Sequence, residues 1–246
     1  RQYAEEELSS AHIDHSDIKV ECTPRRLVLT VSGLSASQKD SVEISKGPLR
    51  AQAFDGEGKP TKAAEGFARS RGVDVCDLTV KEINGAEYVV AEKREKGEAT
   101  ELVLPQILDR ILRRLSFPKS MYWADPAVRF ARPVRWIVAL YADSIINVEF
   151  GKVRSGCISR GHRFMGADSV TVKSPSAYKA SMKENFVITD PDERKDMILR
   201  GIAEVEKELG SEVEVDPALL EENVHLNEYP VVFYGSFDKD FLDIPE

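Results

Sequence analysis

The segment from Phe117 to Phe164 combines cationic and aromatic side chains of the kind that bind RNA. It holds the motifs FPKSMYW, RFARPVRWIVAL and SRGHRF, and both tryptophans of the chain. Proteins bind RNA through cationic contacts to phosphates and by stacking exposed bases on aromatic rings or guanidinium planes. The candidate nucleic-acid-binding residues are the basic residues and the histidine of these motifs: Lys119, Arg129, Arg132, Arg135, Arg160, His162 and Arg163.

A structural interpretation of the same segment stays open. Alternate side chains of a strand share a face, so Val134 and Trp136 would point into a core while Arg135 points away. Arg135 then suits an RNA contact and a structural ion pair equally well. The turn at 161–163 could likewise be a hydrogen-bonded corner between strands, and the arginines at 25–26 have the same two interpretations.

The charge of the chain is unevenly distributed. The formal net charge is −8, which argues against an overall nucleic-acid coat. Residues 110–163 nevertheless contain 11 Lys and Arg against 3 Asp and Glu, a local charge of +8. The rest of the chain has 23 basic and 39 acidic residues and carries −16. This asymmetry permits a basic patch on an acidic body, as in many soluble RNA-binding enzymes.

The sequence lacks the motifs of the common catalytic and metal sites, and we predict no catalytic residue and no metal site. The glycine-rich run at 56–61 is predicted to be a surface turn, because Gly58-Lys59 is followed by Pro60 and not by Ser or Thr. No GxSxG nucleophile elbow occurs. His12 and His15 could share a helix face, but no HExxH-type pattern accompanies them. Three isolated cysteines predict neither disulfides nor a CxxC metal pair, and favour a reducing cytoplasm.

Residue patterns predict an α+β fold with mixed, mainly antiparallel sheets and helices packed against them. Period-two patterns and turn residues predict strands at 18–23, 27–31, 87–93, 133–141, 145–150, 152–159, 169–173 and 230–237. Capping residues and apolar stripes predict helices that begin at Thr61, Thr100, Asp190 and Asp216.

The domain organisation is predicted from the change in composition along the chain. We divide it into an N-terminal α+β region at 1–165, which holds the basic segment 110–163, and a helix-rich α+β region at 166–246. A single domain is the alternative. No apolar run approaches the roughly 20 residues that span a bilayer, so we predict no membrane association. The opening lacks a Met and is typical of a helix interior, so we expect a piece of a longer chain.

Six motifs occur in an order and at a spacing that resemble one protein family. They are TPRRLVLTVSGL, AFDGEGKPTKAAEGFARSRGV, SFPKSMYW, RPVRWIVALY, GHRF and EYPVVFYGSFDKDFLDIP. Together they resemble the N-terminal region of the bacterial glycyl-tRNA synthetase β subunit, over essentially the whole chain. Two positions depart from the family pattern: Tyr122 stands where a basic residue is usual, and Ala124 where glycine is common.

The resemblance implies a cytoplasmic α2β2 enzyme whose α subunit makes glycyl-adenylate from ATP with Mg. It implies that the β subunit binds tRNA(Gly) and is needed for full charging activity, with no cofactor in this part. The sequence agrees with this, because it lacks class II active-site arginine motifs and the HIGH and KMSKS signatures of class I. The run PKSM at 118–121 is not a KMSKS signature. The family's opening motif and its HD-like and anticodon-binding regions are expected outside this sequence.

Three functions follow from these observations. The first is a non-adenylating module that binds and positions tRNA and supports subunit assembly. The second is a purely structural scaffold for the α–β assembly, in which the arginines pair with carboxylates. The third is hydrolytic editing of mischarged tRNA. Sterics argue against editing, because glycine is the smallest amino acid and a pocket can exclude its larger competitors.

Overall fold

Helices and strands alternate up to residue 114, after which short strands follow one another from 121 to 171 and helices from 178 to 226. The computed structural model describes residues 1–123 and 125–243, apart from the side chains at 43, 94, 95, 125–127, 242 and 243. The helices are α1 Gln2–Ser10, α2 Arg50–Ala53, α3 Lys62–Arg71, α4 Thr100–Arg114, α5 Tyr178–Glu184, α6 Pro191–Leu209 and α7 Pro217–Leu226, with 3₁₀ turns at Val75–Asp77, Pro175–Ala177 and Lys239–Asp243.

The strands are short in the second half of the chain. They are β1 Asp17–Thr23, β2 Arg26–Ser32, β3 Ser41–Leu49, β4 Thr79–Ile83, β5 Ala86–Glu95, β6 Met121–Trp123, β7 Asp125–Phe130, β8 Ile137–Val138, β9 Leu140–Tyr141, β10 Ser144–Ile145, β11 Glu149–Phe150, β12 Val153–Gly156, β13 Ile158–Ser159 and β14 Val170–Thr171. Among the described residues all strand pairs are antiparallel except β8 with β12. The predicted α+β fold class is confirmed.

Two compact units make up the chain, and in sequence the smaller one interrupts the larger. The larger unit comprises Arg1–Glu5, His15–Gly33 and Leu104–Glu246, and the smaller comprises Glu6–Asp14 and Leu34–Val103. The predicted division between residues 165 and 166 would lie within the larger unit and stays a prediction. No helix of the described residues is both long enough and apolar enough to cross a membrane.

The smaller unit is built on a three-stranded sheet in the order β3-β5-β4. Its core packs Ala53, Ala64 and Val89 together with partly buried rings, among them Phe67. Helix α3 begins as predicted, because the Thr61 hydroxyl accepts from a first-turn amide, and the helix stops at the left-handed Gly72. The predicted turn before it also forms, and the Asp55 carboxylate accepts hydrogen bonds from two amides of that turn.

The larger unit is organised around the hairpin of β1 and β2, which runs in register from Asp17↔Ser32 to Thr23↔Arg26. The buried side chains of this region include polar groups as well as aliphatic ones. They are Glu21, Thr23, Arg26, Thr189, Arg194 and Glu228. Buried polar groups are stable only when they are hydrogen-bonded, so the partners of these residues define the fold of the unit.

Glu21 of β1 is held by two lysines and a hydroxyl, and of these Lys179 and Thr189 come from outside the hairpin. Its carboxylate accepts from Lys179 Nζ at 2.5 Å, Lys19 Nζ at 2.9 Å and Thr189 Oγ1 at 2.8 Å. Burial alone would raise the pKa of the Glu21 carboxyl, but these hydrogen bonds outweigh it and hold the pKa below its ordinary value. Lys19 also donates to the carboxylate of Asp190, the N-cap of α6, at 2.6 Å.

Arg194 of α6 is fully buried and bonds to backbone carbonyl groups. Its Nε donates to Val224 O at 2.8 Å, and its Nη1 donates to the carbonyls of residues 188 and 189 at 2.7 and 3.2 Å. Its Nη2 donates to Cys22 O at 3.0 Å. One guanidinium thus provides hydrogen-bond donors for carbonyl groups at the ends of β1 and α7 and in the segment before α6. The planar set of donors of an arginine suits this role.

Three predicted strands are wrong in whole or in part. The strand predicted at 145–150 is reduced to β10 and β11, because residues 146–148 are irregular. Residues 133–136 are irregular, and the long strand predicted at 133–141 is reduced to β8 and β9, in part because Pro133 has no backbone N–H to give to a sheet. Trp136 accordingly is half-buried and not a core residue. Residues 230–238 contain no strand, and the aromatic rings of Phe233 and Phe237 are exposed to solvent.

Replacing the buried guanidinium should destabilise the protein strongly. Arg194→Met leaves four buried carbonyl groups without a donor, and we expect the free energy of unfolding to fall by about 3 to 5 kcal/mol. Urea denaturation measures this. Arg200→Met is the matched control, because Arg200 lies exposed on the same helix. A similar loss in both variants would contradict this account of Arg194.

The Asp190 carboxyl predicts how stability changes at acid pH. Burial would raise its pKa, but the hydrogen bond from Lys19 prevails, and the pKa falls from 3.8 to about 2. A depressed folded-state pKa stabilises the protein above about pH 4, and this contribution is lost as the pH falls towards 2. Asp190→Asn keeps a helix-capping side chain but loses the charge, so we expect a loss of roughly 2 kcal/mol at pH 7.

The measurement is urea denaturation of both proteins between pH 7 and pH 2. The difference between Asp190→Asn and the unmodified protein should shrink steadily below pH 4. Asp192→Asn, an exposed change in the same helical turn, should show little difference at any pH. A gap for Asp190→Asn that stays constant with pH would rule out the ion pair as its origin.

Candidate nucleic-acid interface

Three guanidinium groups surround the indole ring of Trp136. The Cζ atoms of Arg25, Arg26 and Arg160 lie 5.8, 5.4 and 5.5 Å from the ring centroid. Trp136 follows the irregular segment 133–135, and its ring is half-buried. The electron-rich face of an indole attracts cations, which stabilises this arrangement. Trp136 therefore gathers cations and does not itself offer an open stacking face.

Arg26 is the buried member of this cluster. Its Nη1 donates to Glu228 Oε1 at 2.8 Å, and its Nη2 donates to Arg160 O at 2.5 Å and Gly161 O at 3.1 Å. Burial lowers the pKa of the Arg26 guanidinium, and the charge of Glu228 opposes that shift. These bonds assign Arg26 a structural role, which leaves Arg25 and Arg160 as the members that reach solvent.

The cluster has more positive than negative charge. Among the described residues, Glu228 is the one carboxylate that pairs with this cluster, at 2.8 Å from Arg26 and 3.4 Å from Arg25. Three cations and one anion leave an excess of two positive charges beside a half-buried ring. Like charges held together in this way raise the local potential and attract an external anion.

Two further predicted residues lie beside this cluster. Arg132 is exposed and its Nη1 donates to Pro24 O at 3.2 Å. Pro24 immediately precedes Arg25, so this hydrogen bond holds Arg132 close to the cluster. Arg135 is exposed and precedes Trp136 directly. Neither forms an ion pair with a carboxylate within the described part of the chain. The structure thus brings Arg132 and Arg160, predicted from separate motifs, to one region of the larger unit.

Lys119 and Arg129 belong to a different part of the larger unit, the hairpin of β6 and β7. Arg129 lies opposite Tyr122 in the register, with its Cζ 5.3 Å from that ring. Lys119 is exposed in the bend before β6. Aromatic rings support this hairpin: Phe130 packs at 4.7 Å from Phe117. No contact among the described residues joins Lys119 or Arg129 to the Trp136 cluster, and Ala124 lies outside the described residues.

His162 and Arg163 lie in a tight turn after β13. The His162 Nδ1 accepts hydrogen bonds from the amides of Phe164 and Met165, both at 3.3 Å, so this nitrogen carries no proton in this geometry. His162 therefore shapes the turn. Arg163 is exposed, with its Cζ 5.6 Å from the Phe164 ring.

Within the described residues, side chains that can bind a metal come together at one place. Asp74, Cys76 and Asp77 of the smaller unit have ligand atoms within 4.8 Å of one another. All three are exposed, and acidic groups often cluster at a surface without an ion, so this group supports no metal assignment. The three cysteines are free thiols.

Sequence reasoning undervalued three members of the cluster. Arg25 was recognised as a possible functional residue but not included among the candidates, and Trp136 was assigned to the core. Glu228 was missed, because a glutamate 202 residues from Arg26 has no local signal. The motif TPRR, with two arginines at a hairpin turn, was the available indication for Arg25.

The family described as glycyl-tRNA synthetase beta subunit matches the chain over residues 1–246. The chain is 43% identical to the glycine–tRNA ligase beta subunit of Halothermothrix orenii over 239 residues, which is 97% of this chain and 34% of that protein. It is 42% identical to the Desulfitobacterium hafniense (strain Y51) protein of the same name over 100% of this chain and 36% of that protein.

A third relative, the glycine–tRNA ligase beta subunit of Geobacter metallireducens, is 45% identical over 97% of this chain and 35% of its own length. The matches define the class as a subunit of an aminoacyl-tRNA synthetase. The chain belongs to the glycyl-tRNA synthetase beta subunit family. It spans about a third of the length of these relatives.

Removing the charge of Glu228 should destabilise the folded protein. Glu228→Gln keeps the side-chain shape but leaves the buried Arg26 without its counter-charge, and we expect a loss of about 3 kcal/mol in the free energy of unfolding. Thermal or urea denaturation measures the change. Glu222→Gln, an exposed position on α7, is the control and should shift stability by less than about 0.5 kcal/mol. Equal stability of the two variants would contradict the structural role of the pair.

Proposed function

We propose that this chain is the part of a glycine–tRNA ligase β subunit that binds tRNA(Gly) and holds it for charging, without forming the adenylate itself. The observation that carries the proposal is the excess positive charge around Trp136, where three guanidinium groups lie beside the ring and two of them pair with the carboxylate of Glu228. A phosphate group is the external anion that such a cluster suits, because guanidinium donors match phosphate oxygens in charge and geometry.

The proposed role is catalysis by positioning. In the proposal the α subunit makes glycyl-adenylate from ATP with Mg, in an α2β2 assembly in the cytoplasm. The β subunit then has to hold the tRNA so that its acceptor end reaches a site on another chain. Correct placement of reactants can correspond to effective molarities of 10⁵ M or more, which is sufficient reason for a subunit that performs no chemistry.

The pairing of the basic residues favours RNA binding over a purely structural scaffold. The scaffold hypothesis requires the arginines to pair with carboxylates, as Arg26 does with Glu228. The exposed candidates behave differently, because within the described residues none of them forms an ion pair with a carboxylate. These candidates are Lys119, Arg129, Arg132, Arg135, Arg160 and Arg163.

A role in subunit assembly has its own support, from apolar side chains near the end of the described residues. Val231, Phe233, Phe237 and Phe241 are all more than half exposed. Contiguous exposed apolar side chains mark surfaces that other protein segments cover. Editing has less support, because the His162 Nδ1 is engaged by two backbone amides and no nucleophile stands beside it in the described structure.

Neutralising three of the unpaired arginines tests the RNA-binding proposal. In the full synthetase, Arg132→Gln, Arg135→Gln and Arg163→Gln together should weaken tRNA(Gly) binding by about tenfold or more at moderate salt. The slope of log K against log salt should fall by about 2, because each lost phosphate contact removes slightly less than one released counterion. Equilibrium binding over a series of salt concentrations measures both.

The control is a second triple variant with the same change in charge. Arg50, Arg113 and Arg154 are exposed arginines that do pair with carboxylates, at 2.7 to 2.9 Å. Changing these three to Gln should leave tRNA affinity nearly unaltered. If the two triple variants bind tRNA alike and both assemble with the α subunit, the proposed surface is wrong.

A further inference from the structure

The turn that follows β13 presents an aromatic ring to solvent. Phe164 is 84% exposed and its neighbour Met165 is 44% exposed. Arg163 directly precedes this tip, and the exposed Arg160 and the buried Gly161 lie three and two positions before Arg163. A phenylalanine gains nothing for folding in such a position, since its apolar surface stays in water.

The turn is held in one shape by hydrogen bonds across its base. Gly161 N donates to Ala167 O at 2.8 Å, and Gly166 N donates to His162 O at 3.0 Å. Asn185 closes the base from the next segment, because its backbone oxygen accepts from His162 N at 2.9 Å and its side-chain oxygen accepts from Ala167 N at 3.2 Å. The amides of Phe164 and Met165 are fixed by the His162 ring.

Two glycines make this closure possible. A Cβ atom on Gly161 would lie 2.8 Å from Ala167 N, and one on Gly166 would lie 2.5 Å from His162 N. Both distances are too short for any side chain. Arg26 adds an anchor at the start of the turn through its bonds to the carbonyls of Arg160 and Gly161. An exposed ring on a turn with a fixed backbone is preorganised for binding, because little backbone freedom remains to be lost.

The charges beside the ring identify the kind of partner. Arg163 lies over Phe164 at 5.6 Å, and Arg160 is exposed three residues earlier. An apolar protein pocket that received Phe164 would also have to desolvate the Arg163 guanidinium, which is costly without a counter-charge. A nucleotide offers both complements, a base with a flat face for the ring and a phosphate for the cation.

We infer that Phe164 stacks on an unpaired base of the bound tRNA, while Arg163 contacts a neighbouring phosphate. His162 and Asn185 are positioning residues that hold the turn in the stacking geometry. This inference rests on the proposed tRNA-binding function and adds to it the contact that recognises single-stranded RNA. Base-paired regions cannot use the contact, because the faces of their bases are already stacked.

Three substitutions at Phe164 separate stacking from simple apolar contact. In the full synthetase, Phe164→Ala should weaken tRNA(Gly) binding by about fivefold or more, the range measured for loss of one stacked aromatic. Phe164→Leu should be nearly as weak, because leucine is apolar but has no aromatic face. Phe164→Trp should bind at least as well as the unmodified enzyme. Since the position is exposed, the urea midpoints of all three should match that of the unmodified enzyme.

The introduced tryptophan also reports the contact directly. Saturating tRNA(Gly) should quench the fluorescence of Phe164→Trp by more than it quenches the unmodified enzyme, and a single-stranded RNA oligomer should quench it while a duplex of the same length does not. Leu102→Ala is the control, because Leu102 is 68% exposed on α4, outside the turn, and this variant should bind tRNA with unchanged affinity.

Two results would overturn the inference. One is tRNA affinity unchanged in Phe164→Ala while the Arg132, Arg135 and Arg163 triple variant is weakened, which would leave the basic surface intact without a stacking contact. The other is normal tRNA affinity in Phe164→Leu together with a fluorescence change in Phe164→Trp on adding the α subunit alone, which would assign the ring to a protein interface. If neither the triple variant nor Phe164→Ala changes affinity, the proposed function fails as well.

Discussion

The larger unit depends on one buried ion pair, formed by Arg26 and Glu228. The guanidinium of Arg26 joins the turn of the first hairpin to the carbonyls of residues 160 and 161 and to a carboxylate near the end of the described chain. Taking both charges out of water is costly, and the cost is offset here by short bonds on nearly every available donor and acceptor. The Arg26 Nε is the exception, since it is buried without a partner.

The same pair determines where the candidate interface lies. Arg26 is fixed by its hydrogen bonds and contacts the Trp136 ring, and Arg25 and Arg160 contact the same ring. The carbonyls that Arg26 binds belong to the start of the turn that carries Phe164. Core and surface therefore share residues in this unit, so a change that loosens the core also disturbs the exposed cationic groups. Residues beyond this shared set, such as Arg135 and Arg163, can be altered without touching the core.

What could be predicted from the sequence was local. The strands on either side of the TPRR turn and the starts of α3 and α6 were predicted correctly. Caps such as Thr61 and Asp190 bond to amides within the same turn, so the local sequence contains their signal. The irregular segment 133–136 was not predicted, since the period-two pattern outweighed Pro133, and the proximity of Trp136 to Arg25 and Arg26 has no signal in the local sequence. Counting charges located the basic segment, but only the fold brings Arg25 and Glu228 to Trp136. Which of the candidate cations contact RNA stays a prediction.

The length of the chain between bonded partners has a consequence for how the protein is made. Arg26 leaves the ribosome 202 residues before Glu228, and Cys22 leaves it 172 residues before the Arg194 that caps its carbonyl. At translation rates of about 5 to 20 residues per second, the first hairpin waits roughly 10 to 40 s for its buried partners. The interrupting unit at 34–103 is complete long before that. During synthesis the smaller unit can therefore close its core before the larger unit does, although the first hairpin of the larger unit emerges earlier.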